Sequence, residues 1–191
     1  MPSADVTKLL LFTSIIVWLL PPFKQYKGKY FLFFLILACI DPISLFFIYI
    51  IRYPLPSQIL VLFNYCLLLS LIEKNFLRKN WIWILLIALV LLSPTIFHFN
   101  RNEIILVYIL LQFGITLIIL KNLITNFVSA GKLSLFHLVF IFYQFTAIAK
   151  YYNLLIGFAD ATAFFILTSI AQIIFGLFFS IYREDKSGLV I

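Results

Sequence analysis

Asp41 and the proline that follows it are the residues best placed to do chemistry in this sequence. They stand mid-way along an unbroken apolar run, Phe31 to Ile51. A carboxyl inside lipid is costly, so ionisable residues there are functional candidates by default. Counted back from Arg52, Asp41 lies about 16 Å deep at 1.5 Å per residue. Pro42 has no amide hydrogen and frees a backbone carbonyl one turn earlier, near Ala38. An acid beside such a break suits a proton or cation site. A second role fits the same residue: a protonated Asp bonded to a neighbouring helix, fastening the bundle together.

Four amides lie at similar depth in other apolar runs: Asn64, Gln112, Gln144 and Gln172. Tyr108, Gln112 and Thr116 recur every fourth residue, which puts them on one helical face. Asp41, Asn64, Gln112, Gln144, Gln172 and Tyr108 therefore form the candidate ligand- or ion-binding set. The expectation is that Asp41, Asn64, Gln112 and Gln144 line a shared cavity. A second stripe, Thr162, Ser169, Gln172, Gly176 and Ser180, also follows helical spacing. Small residues let helix backbones approach, so close packing accounts for most of that stripe.

Other chemistries find no constellation. His98 and His137 fall toward opposite ends of their helices, and zinc needs ligands within about 2 Å of one ion. The same mismatch disfavours a haem held between them, so no metal or cofactor is expected. Cys39 and Cys66 sit in apolar runs without a C-x-x-C motif; they read as packing residues, though comparable depth on consecutive helices allows them to be neighbours. The sequence contains no G-x-S-x-G, H-E-x-x-H or phosphate-loop motif. The last apolar run has no lysine for a retinal Schiff base, and Lys150 reads as a loop charge at the end of the preceding run. An enzyme acting on lipid is the weakest reading, because no acid/base pair at one depth is evident.

The elements that must position these residues follow from composition. The chain has 191 residues, 64% of them hydrophobic and 11% charged, with a mean hydropathy of +1.14. Soluble domains are about half apolar and about a quarter charged. Long apolar runs without period-two alternation indicate membrane helices rather than barrel strands. Seven are expected, at about 4–20, 31–51, 55–72, 81–99, 104–120, 133–149 and 161–182, in one all-α transmembrane domain spanning 1–191. The first ends in Pro21-Pro22-Phe23-Lys24 with no small-residue cleavage site, so it reads as a retained helix rather than a signal peptide.

Direction comes from the basic residues. Ten of the fourteen Lys and Arg fall in alternate connections on one side: Lys24, Lys27 and Lys29; Lys74, Arg78 and Lys79; Lys121 and Lys132; Arg183 and Lys186. The positive-inside rule then places the N-terminus outside and the C-terminus in the cytoplasm. Trp81, Trp83, Tyr26, Tyr30, Tyr53 and Tyr182 sit near run ends, as headgroup anchors do. The net charge of +7 is thus topological, and nucleic-acid binding is not expected.

The pattern resembles the small seven-helix membrane proteins and sensor modules of bacteria. The last run, Phe164 to Tyr182, leads into Arg183-Glu184-Asp185-Lys186, as such modules lead into a kinase. The resemblance implies a bacterial cytoplasmic membrane and a receptor-like role. The chain ends at Ile191 without an output domain, so signalling would need a protein partner in the membrane. The leading expectation is a non-enzymatic receptor-like or accessory subunit. A small-solute or proton-coupled transporter built on Asp41 and the polar belt is the alternative.

Overall fold

The computed structural model describes residues 4–92, 100–184 and 188–190. Helix α1 (Ala4–Trp18) is followed by a short α2 (Leu20–Lys24). Next come α3 (Phe31–Phe46), which runs on into a π-helical turn at Phe47–Ile51, and α4 (Ser57–Ser70). After them lie α5 (Lys74–Lys79), α6 (Trp81–Leu92) and α7 (Arg101–Ala130). Strand β1 (Lys132–Ser134), α8 (Leu135–Ile156), α9 (Ala161–Ile181) and β2 (Gly188–Val190) complete the order. Among the described residues, the regular structure is helical apart from the antiparallel β1–β2 ribbon, in which Leu133 pairs with Leu189.

Among the described residues, four helices are long and apolar enough to cross a membrane: Phe31–Ile51, Arg101–Ser129, Leu135–Ile156 and Thr162–Ile181. Two more apolar helices, Ser57–Ser70 and Trp81–Leu91, are shorter. A protein with this surface meets lipid. On α6 alone, Trp81, Ile82, Trp83, Leu85, Leu86, Ile87, Leu89 and Val90 are exposed, an apolar face that water would not tolerate.

Several boundaries differ from the expected ones, each for a local reason. The first run breaks at Leu19, because Pro21 and Pro22 start a new turn where their missing amides cost nothing. The fifth run is far longer than 104–120. Asn100 and Glu103 form a capping box at its start, and Gly131 ends it in the left-handed conformation. The sixth extends to Ile156 rather than 149, with Gly157 (φ +67°) as its left-handed cap. Asp160 then opens α9 by accepting from the Ala163 amide at 2.8 Å. Lys150 is consequently not a loop charge; it lies within α8, about 9 Å before the helix ends. The predicted stretch 93–99, with His98, lies outside the described residues.

Helix α3 and its π-helical turn lead from Tyr30 to Ile51, and these two residues mark the two ends of the bundle. α7 packs along α8 and α4, while α9 packs on α8, α1 and α2. The core is aromatic. Trp18, Tyr30, Phe33, Phe34, Phe136, Phe140, Tyr143 and Phe179 form one cluster with Leu67, Leu71, Ile115 and Ile119. Phe33 and Phe140 meet edge-on at 4.9 Å between centroids, and Trp18 lies 5.0 Å from Tyr143. In the small-residue stripe of α9, Gly176 packs closely, whereas Thr162 is exposed and Gln172 faces a cavity. A Cβ on Gly176 would stand 2.7 Å from Val17 Cγ1, so the glycine is what lets α1 reach α9.

Candidate functional site

Above the aromatic core, in the Ile51 half of the bundle, α3, α4, α7, α8 and α9 surround a partly open cavity of about 180 Å³. Trp18, Leu67 and Tyr143 belong both to its wall and to the core, so the core closes its floor. Five of the six candidate residues line it: Asp41, Asn64, Tyr108, Gln112 and Gln172. Gln144 does not. Its side chain is 1% exposed, and neither its Nε2 nor its Oε1 has a hydrogen-bond partner.

The face read from α7 does the positioning. Tyr108 Oη donates to the Ser57 carbonyl at 3.0 Å, tying α7 to the first turn of α4. Gln112 Nε2 donates to Asn64 Oδ1 at 2.7 Å, a buried bond between the same two helices. Asn64 in turn donates to the Leu60 carbonyl at 2.9 Å, and Thr116 Oγ1 to the Gln112 carbonyl at 2.8 Å. These side chains are therefore held by the protein itself. Tyr151 of α8 stacks on Tyr108 at 4.8 Å with the rings 11° apart, which makes a flat aromatic wall.

Lys150 is the member that the sequence did not suggest. It lines the same cavity as Asp41, reaching it from α8. Among the described residues, the two groups do not close into an ion pair, and neither makes a hydrogen bond. Lys150 Nζ instead stands over the Phe165 ring, 5.8 Å from its centroid, a cation–π placement. Asp41 is exposed. The signal in the sequence was the apolar continuation Tyr151 to Ile156, which buries the lysine within a helix.

No family model, curated protein or solved structure matches this chain. Its own geometry must carry the functional reading.

The Tyr30 end holds a second polar cluster of a different kind. Tyr30 Oη lies 2.8 Å from His137 Nε2 and accepts from Asn122 Nδ2 at 3.1 Å. His137 Nδ1 lies 2.7 Å from Ser134 Oγ, and Glu184 Oε1 stands 3.5 Å from Nε2. His137 is 0% exposed. Burial raises the Tyr30 phenol above its ordinary range; the nearby Glu184 charge acts in the same direction and the Asn122 hydrogen bond opposes it. Beside this cluster, Gln25 Nε2 donates to the carbonyls of Phe179 at 3.1 Å and Tyr182 at 2.8 Å. Among the described residues, no three His, Cys, Asp or Glu side chains gather around a point. Cys39 and Cys66 are free thiols on separate apolar grooves and do not pair.

Proposed function

We propose that this chain is a receptor-like binding module of the membrane whose ligand is a small polar solute. The observation that carries this reading is the pair Asp41 and Lys150, opposite charges lining one cavity without touching. A purely structural pair gains by closing, since contact is what offsets the desolvation of both ions. Held apart, the two leave donor and acceptor capacity directed at a third group. The aromatic floor supports a binding role over a channel, because it blocks passage through the bundle.

The proposal includes seven spans, an outside N-terminus and a bacterial cytoplasmic membrane. The alternation of basic connections supports the topology, and the resemblance to small bacterial modules suggests the membrane. In that frame the cavity faces the outer half of the bilayer. A protein partner in the membrane would take the signal onward. A transporter is the second reading, favoured by Pro42 within α3 and the π-helical turn five residues later. π-turns recur at functional sites and are irregular points in a helix.

The test uses purified protein in lipid nanodiscs and in liposomes. Small polar solutes are scored for thermal stabilisation, and the stabilising ones for uptake. Binding that Asp41→Asn or Lys150→Gln removes, without uptake, supports the receptor-like reading. Uptake that the same substitutions abolish supports the transporter. If both variants bind every solute as the parent does, the cavity is not the site.

A further inference from the structure

We infer that the ligand of this cavity is a small zwitterion, its ammonium end set against Asp41 and its anionic end against Lys150. The inference rests on the reading that the cavity binds a solute, and it names the solute's class. An acid alone would suit a cation, and a lysine alone an anion. Here both line a single cavity, in contact neither with each other nor with another charged partner.

Charge balance in a low-dielectric bundle strengthens the choice. A ligand carrying one charge satisfies one wall group and leaves the other uncompensated, which is costly inside protein. A zwitterion satisfies both and adds no net charge. Size narrows the class further. At about 180 Å³ the space is close to a cavity of about 150 Å³ that accepts benzene. A space of that size suits a solute, or an exposed headgroup, of amino-acid dimensions. The stacked Tyr108 and Tyr151 rings offer an apolar wall for its carbon atoms. Asn64 and Gln112, already bonded to each other at 2.7 Å, form a fixed polar wall.

Two sources present this chemistry: a free amino acid, and the ethanolamine phosphate headgroup of a lipid. The experiment separates them with the full chain in nanodiscs of phosphatidylglycerol alone. Alanine, alanine methyl ester (ammonium only) and N-acetylalanine (carboxylate only) are titrated by calorimetry. A parallel set of nanodiscs contains phosphatidylethanolamine. Alanine is expected to bind about tenfold tighter, or better, than either half-molecule, because each half leaves one charged wall group unpaired. Asp41→Asn should weaken alanine and the ester but spare N-acetylalanine; Lys150→Gln should do the reverse. If the source is a headgroup, phosphatidylethanolamine raises the melting temperature and competes with alanine, and each substitution removes the gain. That result supports the zwitterion equally.

The inference is overturned if either half-molecule binds as tightly as alanine and phosphatidylethanolamine has no effect. If only the ester binds and Lys150→Gln changes nothing, the cavity is a cation site: the binding reading survives and the zwitterion does not. If no probe binds in either lipid, the zwitterion is refuted. The comparison of the three probes on the parent protein needs no variant, so it holds even where a substitution impairs folding.

Discussion

The two polar clusters of this bundle sit at opposite ends and are built on opposite plans. At the Tyr30 end, Tyr30, Asn122, Ser134, His137 and Glu184 contact one another at 2.7–3.5 Å around a fully buried imidazole. In the Ile51 half, Asp41 and Lys150 line an open cavity, and among the described residues neither closes an ion pair or makes a hydrogen bond. The closed cluster joins α3, α7 and α8 to the residues after α9. The open one joins nothing. Polar groups in a membrane bundle either fasten helices or face a cavity, and here each choice has its own end.

The sharpest way to break this contrast is to open the closed cluster. His137→Ala removes a fully buried ring together with its contacts to Tyr30 and Ser134, so it should cost about 3 kcal/mol, from the void it leaves and the hydrogen bonds lost at about 1 kcal/mol each. A fall in melting temperature in mild detergent reads this out, with solute binding unchanged in the folded fraction. Next in size is Gly176→Val, which drives a branched side chain into Val17 and Trp18. Overpacking of that kind costs about 1–3 kcal/mol. It should lower the melting temperature and loosen α1, seen as faster proteolysis of the N-terminal segment. A smaller effect of opposite sign is expected for Gln144→Met. The amide is buried without a partner, and removing it should be neutral or stabilising by up to about 1 kcal/mol. Binding at the cavity should not change, because Gln144 does not line it.

Much of the architecture was legible in the residues. Apolar runs of membrane length gave the helices, and spacing by four on α7 gave Tyr108, Gln112 and Thr116 as one buried face. Asp41 stood out because a carboxyl in an apolar run has few neutral explanations. The failures share a cause. Lys150 looked like the end of a run because a charge interrupts hydropathy, although the helix runs on for six residues to Gly157. Gln144 looked like a cavity residue because depth along a helix is visible in sequence, whereas the side chain's direction depends on which neighbours it meets. The Tyr30–His137 bond joins residues 107 apart. Each alone resembled an interfacial anchor or a packing histidine, and no local pattern announces such a pairing.

The central claim is that Asp41 and Lys150 serve a ligand and not the fold. Thermal unfolding of Asp41→Asn, Lys150→Gln and the double variant, in nanodiscs without added solute, tests it most directly. The account predicts melting temperatures close to that of the parent, since Asp41 and Lys150 form no ion pair with each other. A loss of about 3–5 kcal/mol in either single variant, restored in the double, is the signature of a broken buried ion pair. That result would contradict the claim and return both residues to a structural role.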